Sequence, residues 1–275
     1  MPRIAIFQSC SGIDPAANAA ALVDAIERAA KGGAEMLFTP EMSGLLDGNR
    51  ERAAGVVQSE EGDDVLAAVR EAARASAIWV HVGSLALRGK GDKLVNRAFV
   101  IDPAGEIAGR YDKMHLFDVD LPTGESWRES SAYQAGEGPV VVVRGTPVGS
   151  LGLTICYDLR FPAIFERLSE AGAEVIAVPA AFTVPTGKAH WHVLLRARAI
   201  EAGLFVVAAA QSGHHEDGRT TFGHSLVVDP WGEVLVDGGE GEKLLFAKID
   251  LERITEVRSR ISVLSHRRVI GPVSD

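Results

Sequence analysis

Cysteine is nearly absent. The 275 residues include only two, Cys10 and Cys156. That is too few for a disulfide framework, and a reducing compartment such as the cytoplasm is the expected setting. No apolar run reaches the roughly 20 residues of a membrane span. The longest, Leu204 to Ala210, suits a buried strand. The opening Met1-Pro2-Arg3-Ile4-Ala5-Ile6-Phe7 reads as a strand, with no cationic and apolar leader. Positive charge is in deficit too: the formal net charge is −9 and the sequence pI about 5.4. Arg196 with Arg198 and Arg258 with Arg260 are spaced pairs in helical stretches, not a basic cluster. Such a surface repels phosphate backbones, so neither a nucleic acid nor a membrane is an expected partner. Hydrophobic residues at 47% and charged residues at 24% still provide for a sizeable core.

No linker, low-complexity tract or composition break divides the chain, so residues 1–275 read as one domain. Strand-like and helix-like segments alternate throughout. Ile4 to Gln8, Met36 to Thr39, Ile78 to Ser84, Val175 to Val178 and Leu204 to Ala209 read as strands. Helices are expected after Asp14-Pro15, over Val65 to Ala75, from Pro162 to Ala171 and over His190 to Ala202. Asp102-Pro103-Ala104-Gly105 and Asp229-Pro230-Trp231-Gly232 each turn a hairpin, which excludes a purely parallel sheet. The expected class is α/β, with mixed sheets stacked face to face and helices outside.

Three polar residues stand just past apolar strands: Glu41, Lys113 and Cys156. Strand ends in layered α/β folds are where distant side chains converge. A thiol must lose its proton to attack a carbonyl. A neighbouring carboxylate can take that proton, and desolvation is expected to raise its pKa toward a useful range. An ammonium can stabilise both thiolate and oxyanion, and the backbone N–H near Tyr157 offers a second oxyanion donor. The same carboxylate could then activate water to hydrolyse the acyl thioester. Alone, Glu41 could be a cap and Lys113 a surface charge; together with Cys156 they form an acyl-transfer set. Cys10 reads as a small hydrophobe.

The segments Phe38-Thr39-Pro40-Glu41, Tyr111-Asp112-Lys113-Met114-His115-Leu116-Phe117 and Ile155-Cys156-Tyr157-Asp158-Leu159-Arg160-Phe161-Pro162 resemble the three signatures of the nitrilase-like carbon–nitrogen hydrolases. Pro179-Ala180-Ala181-Phe182, the stretch from Ala189-His190-Trp191 to Glu201, and Gly223-His224-Ser225 extend the resemblance over nearly the whole chain. It implies a four-layer α-β-β-α sandwich, usually a homodimer or larger. It also implies Glu41 as base, Lys113 as oxyanion stabiliser and Cys156 as nucleophile. The family's second glutamate best matches Glu129, with Glu125 as the alternative. Tyr157, Arg160 and Phe182 are the expected substrate contacts, and no cofactor is implied.

Within the family the omega-amidase and deaminated glutathione amidase branch is nearest, notably through Thr186-Gly187-Lys188-Ala189-His190-Trp191. That branch implies an amidase for a small carboxylate-bearing amide that releases ammonia. A nitrilase, an N-carbamoyl amine hydrolase, or a non-enzymatic interaction module on this scaffold are the alternatives. Asp158 and Arg160 either pair with each other to brace the nucleophile loop, or Arg160 reaches the substrate carboxylate. No metal site is expected: His190 and His192 point to different helix faces, and His214-His215-Glu216-Asp217 reads as a polar surface loop. His192 stands where many relatives carry glutamate. The helix His190 to Ala202 is the expected dimer face.

Overall fold

The computed structural model describes residues 1–121, 124 and 126–271. Two six-stranded mixed sheets lie face to face. The first runs Lys243–Lys248, Arg3–Gln8, Met36–Phe38, Trp79–Arg88, Leu94–Ile101, Ile107–Asp112. The second runs Val234–Asp237, Leu226–Val228, Phe205–Ala208, Val175–Ala177, Gly149–Leu153, Val142–Thr146. Each has three parallel strands in its middle and antiparallel strands on both sides.

Alternation along the first sheet divides its side chains between two cores, as a period of two requires. Ile4, Ile6, Met36, Phe38, Ala98 and Val100 join the core that contains the second sheet. Their neighbours Ala5, Phe7, Leu37, Phe99 and Ile101 instead pack with Leu22, Ile26 and Val69 from the helices Pro15–Lys31 and Asp64–Ser76. The helices Pro162–Glu170 and Val184–Ala202 bring Phe165, Leu168, Trp191 and Leu195 to the second sheet. The four-layer sandwich is therefore present.

The two hairpin turns are hydrogen-bonded alike. In each, the first aspartate's side chain accepts the N–H groups two and four residues on: Ala104 and Glu106 for Asp102, Trp231 and Glu233 for Asp229. Gly105 and Gly232 close them at φ 76° and 86°, a backbone that glycine adopts without strain. Each sheet thus repeats the same order: three parallel strands joined through helices, then a hairpin through an Asp-Pro-X-Gly turn. The likeness of the two turns reflects this repeated plan.

The last helix of the second sheet begins at Val184, six residues earlier than its sequence suggests. Pro185 suits a first turn, and Gly187 is tolerated because the Phe222 ring fills the space a Cβ would need. Among the described residues no helix is long and apolar enough to cross a membrane.

The sheets also enclose a titratable misfit. His81 is buried in the strand Trp79–Arg88, its ring 5.5 Å from that of Phe38. Burial pulls its pKa down to about 3, so the fold accepts only the neutral ring. Once unfolded, the ring protonates near the ordinary value of about 6.5. The effect is therefore absent above about pH 6.5, and it destabilises the fold by roughly 1.4 kcal/mol per pH unit as pH falls toward 3. In urea melts, His81→Phe should make the acid loss of stability shallower by about that slope. Parallel pH dependences for the two proteins would refute this.

Candidate functional site

Four strand exits meet at one place. Glu41 follows Met36–Phe38, Lys113 follows Ile107–Asp112, Cys156 follows Gly149–Leu153 and Ala181 follows Val175–Ala177. The sheets approach closely here: a Cβ on Gly83 would lie 2.1 Å from the Thr39 carbonyl oxygen and 2.5 Å from Pro179 Cβ. Cys156 opens a short 3-10 segment, Cys156–Arg160, with φ 48°. A left-handed backbone at a residue with a Cβ is strained and persists only where its surroundings enforce it. The Cys156 N–H donates to Pro179 O at 2.9 Å. Beneath the turn, buried Asp158 accepts from Ile155 N at 2.9 Å, Tyr111 Oη at 2.7 Å and His115 N at 3.1 Å, and lies 2.7 Å from His115 Nδ1.

Lys113 is buried between two carboxylates. Its Nζ donates to Glu41 Oε1 at 2.9 Å and to Glu129 Oε1 and Oε2 at 3.0 and 2.9 Å. Glu129 also accepts the Phe117 N–H at 2.6 Å, and Glu41 Oε2 accepts the Ala181 N–H at 2.9 Å. Asn96 Nδ2 bridges the carboxylates, 3.0 Å from Glu41 Oε1 and 3.4 Å from Glu129 Oε1.

Burial alone pushes the Glu41 carboxyl up. The Lys113 ammonium and hydrogen bonds from Cys156, Lys113 and Asn96 outweigh it, and hold the group below the ordinary carboxylate range. The raised carboxylate pKa expected from desolvation is therefore overturned. Burial and the Glu41 charge push the Cys156 thiol well up, with Lys113 offsetting only part. Lys113 sits well above its ordinary value, because Glu129 and Glu41 outweigh its burial. The resting set is a neutral thiol, a carboxylate and an ammonium.

These groups form the floor of a cavity of about 370 Å³. Its walls include Trp127, Tyr133, Tyr157 and Phe182, with Arg50, Arg128, Arg160 and Arg219 among the lining residues. Three arginines are already occupied. Arg50 donates to Ser131 Oγ, Arg128 pairs with Asp120 at 2.8 Å, and Arg219 pairs with Asp217 at 2.7 Å. Arg160 has no carboxylate partner among the described residues. Its guanidinium lies 5.9 Å from the Tyr157 ring centre and 5.6 Å from that of Phe182, and 3.3 Å from His190 Nδ1. The architecture suits covalent acyl transfer inside an aromatic-walled cavity.

Residues 3–259 match the family model described as carbon-nitrogen hydrolase. The chain belongs to the carbon-nitrogen hydrolase family. It is 40% identical over 272 residues to a deaminated glutathione amidase of Yersinia enterocolitica, covering 98% of this chain and 94% of that one. The crystal structure of the Caenorhabditis elegans NitFhit protein superposes with a TM-score of 0.89 at 39% identity. That match takes in 97% of this chain but only 65% of the NitFhit chain. An amidase from Nesterenkonia sp. AN1, in a mutant with the acetamide moiety of fluoroacetamide added covalently at the active site cysteine, superposes with a TM-score of 0.81 at 27% identity. The match covers 97% of this chain and 94% of that one.

In this hydrolase the expected residues Glu41, Lys113, Glu129 and Cys156 do converge, while Glu125 lies outside the described residues. Tyr157, Arg160 and Phe182 all line the cavity. The suggested Asp158–Arg160 ion pair is not formed: Tyr111, His115 and Ile155 occupy Asp158, and Arg160 turns toward the aromatics. The loop read as polar surface is partly interior. His215 is buried, 2.9 Å from Ser11 O and 2.8 Å from Thr221 Oγ1, and the Asp217 carboxylate is buried against Arg219. Cys10 is half-buried, its Sγ 3.6 Å from His215 Nδ1, and burial pushes its thiol up, with Glu242 and Glu216 adding to the rise. The histidines that do gather are His192 and His224, beside Asp237.

Asn96, which bridges Glu41 and Glu129 without itself lining the cavity, was the missed residue of this set. Its signal was an asparagine inside the apolar strand Leu94–Ile101, where this residue type is depleted. Trp127 and Thr221 of the cavity wall come from short strand pairs, Ser126–Arg128 with Asp118–Asp120 and Thr220–Phe222 with Ser212–His214, too brief for a periodicity to register.

Proposed function

We propose that this chain, one carbon-nitrogen hydrolase domain over residues 1–275, is an amidase that forms a thioester on Cys156 and releases ammonia. The observation that carries the reading is the convergence of buried Cys156, Glu41 and Lys113 on the cavity floor, with Lys113 Nζ 2.9 Å from Glu41 Oε1. Glu41 accepts the thiol proton as Sγ bonds to the carbonyl carbon. Lys113 Nζ and the Tyr157 N–H stabilise the oxyanion. The C–N bond then breaks as the proton passes from Glu41 to the leaving nitrogen. Water repeats the sequence against the thioester: Glu41 takes a proton from it, the C–S bond breaks, and the proton returns to sulfur. Glu129 fixes Lys113, and no cofactor enters any step.

The test is trapping. Wild-type protein given a slow amide should gain the acyl mass, whereas Cys156→Ala should gain none and lose turnover. Glu41→Gln keeps the shape but removes the base, and should lower turnover by about two to four orders of magnitude. Full activity in Cys156→Ala would refute the assignment. Ammonia released faster from nitriles or N-carbamoyl amines than from amides would move the chain to those classes.

The proposed substrate class is a small amide that also bears a carboxylate, held by Arg160, with Tyr157 and Phe182 beside it. Two observations support this: Arg160 is the lining arginine whose guanidinium meets no oxygen acceptor among the described residues, and the Yersinia relative is a deaminated glutathione amidase. The reading extends to a cytoplasmic homodimer or larger homo-oligomer, whose mass light scattering would read. Val193 and Ile200, 68% and 47% exposed on the helix Val184–Ala202, support it, with Trp231 at 48%. For the substrate, Arg160→Ala should raise KM more for the acid than for its methyl ester. Equal specificity constants for acid and ester in the wild type would remove the carboxylate from the reading.

A further inference from the structure

His192, His224 and Asp237 meet away from the cavity floor. His192 belongs to the helix Val184–Ala202, His224 lies two residues past the strand Thr220–Phe222, and Asp237 ends the strand Val234–Asp237. His192 Nε2 is 3.0 Å from Asp237 Oδ2, and His224 Nδ1 is 2.8 Å from Asp237 Oδ1. The imidazole rings stand 5.2 Å apart at 71°, and one donor atom from each residue lies within 4.8 Å of the other two. Side-chain exposures of 36%, 24% and 37% leave the cluster open to solvent.

We propose that these three residues bind a divalent transition-metal ion, with zinc the best match. Two neutral imidazoles and one carboxylate supply three ligands of a tetrahedral ion and leave the fourth position to water. The nitrogen-rich set suits zinc, cobalt or nickel, not calcium or magnesium, which take oxygen ligands. Bonds of about 2.0–2.1 Å at tetrahedral angles place ligand atoms roughly 3.4 Å apart. The two short spacings run to different oxygens, Asp237 Oδ2 from His192 and Oδ1 from His224, while one ligand atom from each residue already lies within 4.8 Å of the others. Closing the set requires rotation of the carboxylate and the two partly exposed rings.

The backbone at His224 is a second, independent observation. Its φ of 54° is left-handed, a strained state for a residue with a Cβ. It is held there from both sides: its N–H donates to Gly239 O at 2.7 Å, and its carbonyl accepts Trp191 Nε1 at 2.7 Å. The Phe222 ring stacks on the imidazole at 4.4 Å, and Asp237 Oδ1 also accepts the Gly239 N–H at 2.8 Å. Outer contacts of this kind fix ligand orientation in metal sites. The ion would clasp the helix Val184–Ala202 to the hairpin Leu226–Asp237. It is separate from the reaction, so the inference stands whether or not the amidase reading does.

The test uses Cys156→Ala protein, so that the buried thiol cannot take the ion. Zinc binding is followed by calorimetry and by melting temperature, and cobalt binding by its visible spectrum. Expected are one ion per chain, the absorption of a tetrahedral cobalt centre without thiolate bands, and a rise in melting temperature that saturates with zinc. His192→Ala and Asp237→Asn should each weaken binding by at least about tenfold. His224→Asn, whose side chain tolerates the left-handed backbone, should do the same without unfolding the protein. The proposal is overturned if zinc leaves the melting temperature unchanged. It is also overturned if binding survives His192→Ala with Asp237→Asn together, or is removed by Cys10→Ser.

Discussion

A buried ammonium ion between two carboxylates is the interaction on which the rest of the site depends. Removing Lys113 from water is costly, and only close pairing with good geometry makes it tolerable. Glu41 and Glu129 provide that pairing from opposite sides, and Asn96 links them. Burial and the Glu41 charge keep the neighbouring thiol protonated, with Lys113 offsetting only part. Lys113 in turn holds Glu41 ionised, so the carboxylate has a free site for the proton.

The sheets exist, from the site's point of view, to deliver that trio and the thiol to one point. Their repeated order places the carboxyl ends of parallel strands from both halves at the same edge. Glu41 arrives from one half and Cys156 from the other. Gly83 permits the backbones to approach where a side chain would hold them apart. The strained turn at Cys156 is paid for by Asp158, whose partners come from the Tyr111–His115 segment of the opposite sheet. The segment that carries Lys113 thus also braces the cysteine.

Much of this was legible in the sequence because strand exits and apolar alternation are local signals. Glu41, Lys113 and Cys156 stood out as polar residues ending apolar runs, and the two Asp-Pro-X-Gly turns marked the hairpins. The partners of buried polar groups were not legible. Asp158 lies two residues from Arg160, yet it faces Tyr111 and His115, because the 3-10 turn aims the two side chains apart. His215 looked exposed among charged neighbours, but its ring closes on Ser11 from the other end of the chain. The direction of the Glu41 shift was missed for the same reason: burial was foreseeable, but the closeness of the Lys113 ammonium and the hydrogen bonds around the carboxylate were not.

The most direct test of the central claim is the protonation state of Cys156 in the free protein. Its alkylation rate by iodoacetamide, and its ultraviolet thiolate absorption, would be followed against pH in Cys10→Ser protein. The account predicts a neutral thiol throughout the neutral range, with thiolate developing only on the alkaline side of the ordinary cysteine value of about 8.5. Glu41→Gln, which removes the adjacent negative charge and leaves Lys113, should move that transition to lower pH. A thiolate already formed at neutral pH in the presence of Glu41 would contradict the account, because Lys113 would then be paired with sulfur and not with the two carboxylates.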